Sequence, residues 1–305
     1  MPHLRYSRPL LGCLATLVLY ACAEDVRTTV PPASDVLPIA TWTLPERLTF
    51  CGEEVPLHIP EVRERAEREF YVNLQTPGQI ILYLKRAGRY FPLYERLLRE
   101  SGVPDDLKYI SVAESALFMA RSPKDAVGLW QFIPATAKAM GLVVTDDVDE
   151  RRHPERSTAA AIKYLHQGFK QTGSWTTAAA GYNMGHENLA ENQRYQSAQN
   201  YYDLFLNEET SRYILRIAII KHLMEQSASY GITLPSAAMY TPSPSRPIPV
   251  EGGIASIAEW AVEQGTTYKD VKLLNPWILK RALPAPPKGH LWVIDVPAAK
   301  TPVTR

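Results

Sequence analysis

The sequence predicts a mainly α-helical protein that carries a small α+β module near its C-terminus. Apolar residues recur at spacings of three and four from Glu61 to about Tyr230, as on one face of an α-helix, and strand-like alternation is scarce there. A proline-rich break, Thr241 to Pro247, then separates a short unit with two helical patterns and a strand-like run, Leu291 to Ile294. These observations predict a helical body followed by a helix-helix-strand module.

The bulk composition is that of a globular protein with a packed core. Of the 305 residues, 46% are hydrophobic and 10% aromatic, enough for one large domain and a smaller one. The formal net charge is only +1, so no global field favours nucleic acid or an anionic membrane surface. We therefore expect no nucleic-acid partner.

Residues 1–21 have the pattern of a secretory signal. Basic residues precede an apolar run from Leu10 to Ala21, which is too short to span a bilayer. The run ends in Leu19-Tyr20-Ala21-Cys22, which resembles a bacterial lipobox. That resemblance implies cleavage before Cys22, lipidation of this cysteine and, because Ala23 follows, a position at the periplasmic face of the outer membrane. The alternative is an ordinary signal peptide that is cut near Ala21.

The three cysteines exclude an internal disulfide in the mature chain. Cys13 leaves with the signal and Cys22 carries the lipid, so only Cys51 remains in the folded part. No signature of a cysteine nucleophile surrounds Cys51, and we interpret it as a spare thiol. The fold must therefore depend on core packing.

Residues 22–60 are expected to form a tether. The segment is rich in proline, threonine and acidic residues and lacks a helical period. Its apolar residues Trp42, Leu44 and Leu48 could dock on the body, so that part of the tether would be ordered.

The helical body is predicted over residues 61–240. One helix is expected to open at Pro104-Asp105-Asp106, because proline suits a first helical turn and aspartates favour the positive end of the helix dipole. Another is expected to start after Asn207, with Glu208 and Glu209 in its first turn.

Glu114 lies on the apolar face of the first of these helices. It follows Ile110 by four residues and precedes Leu117 by three, so its carboxylate is expected to be at least half-buried. Burial raises the pKa of a carboxyl group, as a general acid near neutral pH requires. Periodicity alone favours a different interpretation, a glutamate at the rim of the stripe or one paired with an arginine.

Three separated motifs resemble one known family. They are Glu114-Ser115-Ala116, then Gly128-Leu129-Trp130-Gln131-Phe132-Ile133-Pro134, then Ala180-Gly181-Tyr182-Asn183-Met184-Gly185, with Asp149 to Pro154 between the last two. In this order they resemble the soluble-type lytic transglycosylases, a lysozyme-like family (glycoside hydrolase family 23), and most closely its membrane-bound D branch. The resemblance implies a lysozyme-like helical catalytic domain that acts on peptidoglycan glycan strands.

The resemblance also implies site residues. Glu114 would be the catalytic acid, and the family's substrate-binding positions fall on Ser122, Gln131, Tyr182, Asn183, Glu209 and Tyr213. Glu209 and Tyr213 lie one helical turn apart and should share a face, unless they are only a helix-start acid and a core tyrosine.

Two departures from the family pattern affect this site. The stretch Leu117 to Arg121, with the unusual Phe118 and Met119, is one residue shorter than the family's loop and makes the register of Ser122 uncertain. Gly181 replaces a frequent alanine before Tyr182.

No second acid accompanies Glu114 in these motifs, whereas most glycosidases use two. The resemblance implies that Glu114 acts first as acid and then as base, cleaving the bond between N-acetylmuramic acid and N-acetylglucosamine without water and leaving a 1,6-anhydro end. The alternatives are a lysozyme-type hydrolase and a non-catalytic peptidoglycan-binding lipoprotein.

Neither metal-ligand histidine spacing nor a glycine-rich phosphate loop is present, so no cofactor is expected. The histidines His166, His186 and His222 are interpreted as surface or rim residues.

Residues 248–305 resemble, faintly, a LysM glycan-binding unit. The similar positions are Ser256-Ile257-Ala258, Gly265, Val271 and Leu274-Asn275-Pro276. The opening Glu251-Gly252-Gly253-Ile254 departs from the usual LysM start. The module could therefore bind glycan or simply pack on the catalytic domain.

Overall fold

The computed structural model describes residues 41–299. The expected signal peptide, the lipobox and Cys22 lie outside these residues. Within the described range ten α-helices and three two-stranded antiparallel sheets are found, so the mainly α fold class is confirmed. None of these helices is both long enough and apolar enough to cross a membrane.

Eight helices form the body and two belong to the C-terminal module. Their bounds are α1 Pro60–Leu74, α2 Pro77–Glu100, α3 Lys108–Ser115, α4 Pro134–Ala139, α5 Pro154–Thr172, α6 Trp175–Met184, α7 His186–Gln196, α8 Glu208–Glu225, α9 Ile257–Glu263 and α10 Tyr268–Leu274. The strands are β1 Thr49–Phe50, β2 Glu53–Glu54, β3 Ala120–Arg121, β4 Val127–Gly128, β5 Ser245–Val250 and β6 Trp292–Pro297.

Helix α8 is the central helix of the body and starts where its sequence predicts. The Asn207 side chain accepts a hydrogen bond from the backbone N–H of Thr210 at 2.9 Å, which satisfies a donor of the first turn. Ten of the helix's 18 residues are buried, because α1, α3 and α6 pack around it. Any side chain that α8 projects toward α3 is therefore held in a fixed position.

The helix predicted at Pro104 begins as a short 3₁₀ turn, Asp105–Leu107, and continues as α3. Its apolar stripe is buried as expected, since Leu107 and Ile110 have no exposed surface. Glu114 is the last residue but one of α3.

Part of the segment expected to be a tether is packed into the body. Leu44, Leu48 and Phe50 belong to the main hydrophobic core, and β1 and β2 form a small hairpin that covers it. The Glu53 carboxylate of this hairpin accepts hydrogen bonds from the hydroxyl of Ser174 and the N–H of Trp175, each at 2.8 Å. Residues 44–57 are thus structural, because apolar side chains spaced among the prolines can be buried.

The C-terminal module has one more strand than its sequence predicted. β5 begins within the last three residues of the segment interpreted as a proline-rich break, Ser245 to Pro247, and continues to Val250. It pairs antiparallel with β6 along six residues, giving the order strand-helix-helix-strand. Pro247 and Pro249 are tolerated because both strands of a two-stranded sheet are edge strands, where a missing N–H can face outward.

The module packs directly on the helical body. Val148 pairs with Ile278 in an isolated β-bridge and joins the module's own hydrophobic cluster. The buried carboxylate of Glu150 accepts a hydrogen bond from His290 Nε2 at 2.9 Å and faces Arg156 Nε at 3.1 Å. The packing interpretation of the module is therefore supported by direct contacts.

Candidate active site

Glu114 is held at the end of α3 by a hydrogen bond from α8. The Tyr213 hydroxyl donates to Glu114 Oε1 at 2.5 Å, and Tyr213 itself is completely buried. The helix stops directly after Glu114 and Ser115 because Ala116 and Leu117 adopt the left-handed conformation, with φ of 55° and 56°. The carboxyl group is therefore half-buried, at the point where α3 gives way to the following loop.

The surroundings raise the pKa of Glu114 above its ordinary value. Burial is the main cause, and the negative charge of Glu209 acts in the same direction. The Tyr213 hydrogen bond and the positive charge of Arg216 oppose it without cancelling it. A proton is thus retained to higher pH than on an exposed glutamate, as general acid catalysis requires.

Three residues of α8 face the Glu114 carboxyl group. Glu209, Tyr213 and Arg216 follow one another at spacings of four and three residues and so share one face of the helix. The motifs did not identify Arg216, although this spacing in the sequence would have pointed to it. Glu209 also provides a second carboxylate near Glu114, which the motif-based reasoning had not considered in that role.

Ser115 joins the first motif to the second. Its hydroxyl donates to the backbone carbonyl of Leu129 at 2.8 Å, and the hydroxyl of buried Ser111 donates to the same oxygen at 2.9 Å. The serine that follows the glutamate therefore positions the Gly-Leu-Trp-Gln segment rather than substrate.

Tyr182 joins the third motif to the second. Its hydroxyl donates to the backbone carbonyl of Trp130 at 2.6 Å, while the Trp130 indole N–H donates to Thr158 Oγ1 at 2.9 Å. Burial raises the pKa of Tyr182, and the negative charge of Glu114 contributes, so the ring lies close to the glutamate as expected. The Tyr182 hydroxyl therefore already has a backbone acceptor, the Trp130 carbonyl.

The turn that carries Gln131 has a strained backbone and little free space. Gly128 has φ of 89°, and a Cβ at this position would lie 2.0 Å from the carbonyl oxygen of Arg151, so only glycine fits. Gln131 also has a positive φ of 50°, and its amide nitrogen donates to the carbonyl of Gly128 at 2.8 Å. The side chain is thus fixed beside the β3–β4 hairpin.

Asn183 and Glu209 form a polar pair on the rim of the site. Asn183 Nδ2 donates to Glu209 Oε1 at 3.1 Å, and its Oδ1 accepts from the hydroxyl of Thr210 at 2.8 Å. A polar recess between α6, α7 and α8 continues outward from this pair and includes Lys124 on the opposite loop. Such a surface offers amide and carboxylate groups to a hydroxyl-rich ligand.

Ser122 forms hydrogen bonds within its own loop. Its hydroxyl accepts the N–H of Ala126 at 3.1 Å and its N–H donates to the Ala126 carbonyl at 2.8 Å. The ion pair between Arg121 and Asp125 closes the same loop. The shortened register therefore gives a compact turn in which the serine hydroxyl already has a partner.

His186 is not a surface residue, contrary to its interpretation from sequence. It is 7% exposed, and its ring packs 4.3 Å from that of Tyr164. A Cβ on Gly181 would lie 2.2 Å from its Nδ1 and one on Gly168 2.3 Å from its Cε1. The glycine that departs from the family pattern thus makes room for this imidazole, and α6 continues unbroken into Tyr182.

The arrangement presents one half-buried acid, Glu114, near the polar pair of Asn183 and Glu209. Within residues 41–299 no group of three or more His, Cys, Asp and Glu side chains is placed to hold a metal ion. The chemistry that the side chains themselves can supply is proton transfer from and to Glu114, with Glu209 as a nearby charge.

Comparisons with known proteins agree with the motifs. Residues 94–205 match the transglycosylase SLT domain, and residues 246–300 match the soluble lytic transglycosylase C-terminal LysM-like domain. The membrane-bound lytic murein transglycosylase D of Escherichia coli K12 is 28% identical over 61% of this chain and 42% of its own length.

Two further relatives each match about a third of the chain. The peptidoglycan transglycosylase gp16 of Escherichia phage T7 is 38% identical over 34% of this chain and 8% of its own length. A putative tributyltin chloride resistance protein of an Alteromonas species is 34% identical over 33% of this chain and 49% of its own length. The chain spans less than half the length of these relatives. It nevertheless contains a transglycosylase SLT domain followed by a LysM-like domain of the soluble lytic transglycosylase type.

Proposed function

We propose that the protein is a peptidoglycan lytic transglycosylase that cleaves the β-1,4 bond between N-acetylmuramic acid and N-acetylglucosamine. The observation that carries this proposal is the half-buried Glu114, whose pKa is raised by burial and which accepts a hydrogen bond from Tyr213. The SLT domain match over residues 94–205 supports the substrate class.

Glu114 would act twice in this reaction. The protonated carboxyl group gives its proton to the glycosidic oxygen, so that the N-acetylglucosamine side leaves as an alcohol. The acetamido oxygen of the muramoyl residue would support the positive anomeric carbon. Ionised Glu114 then takes the proton from the C6 hydroxyl as that oxygen bonds to the anomeric carbon, which closes the 1,6-anhydro ring, consumes no water and restores the acid.

Tyr213 and Arg216 suit the second half of this cycle. Both stabilise the ionised form of Glu114, by a hydrogen bond and by positive charge, and so limit the rise in its pKa. A carboxyl group with a moderately raised pKa can give up its proton and regain it, which a double role requires.

The cleft residues would bind the glycan. We propose substrate contacts for Gln131, Asn183, Glu209 and Tyr182, and a smaller part for Ser122, whose hydroxyl is held by Ala126. Glu209 is exposed and Asn183 is partly exposed, and both are polar, which suits sugar hydroxyl groups.

A hydrolase on the same fold is the second candidate, and Glu209 is the observation that favours it. A carboxylate near the catalytic acid could activate water, as in glycosidases with two acidic residues. Mass spectrometry of the products from purified sacculi separates the two reactions. We expect anhydromuropeptides, whereas products heavier by one water and with a reducible end would establish the hydrolase.

We further propose that the mature chain is lipid-anchored through Cys22 at the periplasmic face of the outer membrane. The lipobox-like Leu19-Tyr20-Ala21-Cys22 and the following Ala23 support this location. Metabolic labelling with a fatty acid should mark the wild type and not Cys22→Ser. Equal labelling of the two, or none of the wild type, would contradict the anchor.

A further inference from the structure

A groove of about 900 Å³ lies between the catalytic domain and the C-terminal module. One wall is α2, the second is the loop Leu117 to Met119 directly after the catalytic helix, and the third is α10 with the residues that follow it. The first loop residue that lines the groove, Leu117, follows Glu114 by three positions in the sequence, so the groove and the acid are carried by the same short segment.

Exposed apolar side chains face this groove from both domains. Phe118, one of the two unusual loop residues, is 59% exposed, and Leu273 of α10 is 68% exposed. Large side chains so exposed at the same groove are available to contact an apolar part of a ligand.

Positive charge lines the α2 wall. The Arg86 guanidinium lies 5.3 Å from the centre of the Phe118 ring, and that of Arg89 lies 5.3 Å from the centre of the Tyr240 ring. Neither arginine forms an ion pair with a carboxylate among residues 41–299. Among the described residues that line the groove, Asp270 is the one acidic residue, and its carboxylate accepts a hydrogen bond from the hydroxyl of Thr267 at the start of α10.

The floor of the groove is fixed to α2. Tyr240 N–H donates to the carbonyl of Lys85 at 2.9 Å, and a Cβ on Gly88 would lie 2.6 Å from the Tyr240 carbonyl oxygen. The glycine therefore allows the linker before the module to lie against the helix. The groove is built into the fold by close backbone contacts.

We propose that this groove binds the peptide attached to the muramoyl residue at the cleavage site. The inference rests on the proposed function, because it assumes peptidoglycan as substrate. Such peptides combine free carboxylates with small apolar side chains, which match the arginines of α2 and the exposed apolar residues. The sugar backbone of an intact strand lacks free carboxylates, because each lactyl carboxyl group is consumed in the amide bond to the peptide. Removal of the peptide leaves only this lactyl carboxylate, which stays on the sugar.

Binding of a soluble muramoyl peptide tests the groove without requiring catalysis. The full mature chain and its variants Arg89→Glu and Leu273→Asp are titrated by calorimetry with a soluble N-acetylmuramoyl tetrapeptide. The matched control is Arg99→Glu, an exposed arginine on α2 outside the groove. We expect each groove variant to weaken binding by about fivefold or more and the control to leave it unchanged. Absence of binding to the wild type, or equal weakening in Arg99→Glu, overturns the proposal.

Cleavage of two substrates then separates peptide from glycan recognition. Peptide-bearing strands are compared with strands stripped of peptide by an amidase. Arg89→Glu should raise the KM about fivefold on the first substrate only, with kcat unchanged. An equal loss on both substrates would overturn the proposal by making the groove a glycan subsite. A wild type that cleaves neither substrate would refute the proposed function, and the calorimetric result would then decide the groove alone.

Discussion

The hydroxyl of Tyr213 donates a hydrogen bond of 2.5 Å to Glu114 and joins the central helix of the body to the proposed catalytic acid. Tyr213 is completely buried, so its ring cannot turn away without disturbing the core. The hydrogen bond favours ionised Glu114, whereas burial favours the neutral form. The balance between these two effects sets the pH range in which the acid can work.

The substitution Tyr213→Phe should raise the pKa of Glu114. Without the donor the pKa of Glu114 rises further, so the alkaline limb of the pH–rate profile for sacculus digestion moves to higher pH. The step in which Glu114 acts as base is weakened, and we expect kcat to fall by about tenfold, the effect of losing one charge-assisted hydrogen bond. Tyr195→Phe, at an exposed tyrosine, is the control. An unmoved alkaline limb would show that the hydrogen bond does not tune the acid.

Glu114→Gln should stabilise the fold at neutral pH. Below about 4.5, the ordinary value, the carboxyl group is protonated in both folded and unfolded chains. Above it the unfolded chain loses the proton first, so the folded chain binds more protons and its stability falls as pH rises through the raised pKa. Glutamine does not titrate. We therefore expect a higher Tm for the variant at pH 8, by a few degrees, and nearly none of this gain at pH 4. A gain in Tm that is equal at pH 4 and pH 8 would show that the titration of Glu114 is not its cause.

Gly181→Ala should destabilise the protein through His186. The added methyl group would overlap the imidazole, and overpacking of this kind costs about 1 to 3 kcal/mol. The double variant Gly181→Ala/His186→Ala should recover part of that loss, as measured by urea denaturation in a double-mutant cycle. Gly78→Ala, where a Cβ has open space, is the control. Strictly additive losses would mean that the two residues do not interact.

Glu150→Ala should loosen the C-terminal module. The buried carboxylate contacts His290, Arg156 and the N–H of Val143, and its loss leaves buried polar groups without a partner. We expect a loss of about 3 to 5 kcal/mol in the free energy of unfolding. We also expect faster proteolysis between the catalytic domain and the module. Glu155→Ala, which removes an exposed ion pair with Arg96, should cost less than about 1 kcal/mol. Equal losses of unfolding free energy from the two substitutions would show that the Glu150 contacts do not stabilise the interface.

The sequence predicted those parts of the fold that local patterns determine. The Asn207 cap, the buried stripe of α3 and the family motifs each depend on a few neighbouring residues, and the order of the motifs indicated that they meet. The hydrogen bonds that join these motifs to one another could not be predicted from local patterns. The bonds from Ser115 to Leu129 and from Tyr182 to Trp130 end on backbone carbonyls, which carry no sequence signal.

Other features were missed because tertiary packing overrides local composition. The first half of β5, Ser245 to Pro247, was predicted to be part of a break, yet an edge strand tolerates its proline and also Pro249. Residues 44–57 fall in the predicted tether, and the docking that the sequence allowed for Leu44 and Leu48 is found, but the β1–β2 hairpin was not predicted. Arg216 belongs to no motif, and its helical spacing from Glu209 and Tyr213 was the one sequence signal that could have indicated it.

The most direct test of the account is digestion of purified sacculi by the wild type and by Glu114→Gln, with Glu209→Gln as the matched carboxylate control. Folding is checked by circular dichroism, and soluble products are identified by mass spectrometry. We predict anhydromuropeptides from the wild type, a reduced amount of the same products from Glu209→Gln, and none from the well-folded Glu114→Gln. Undiminished release by Glu114→Gln would contradict the assignment of Glu114 as the catalytic acid and base.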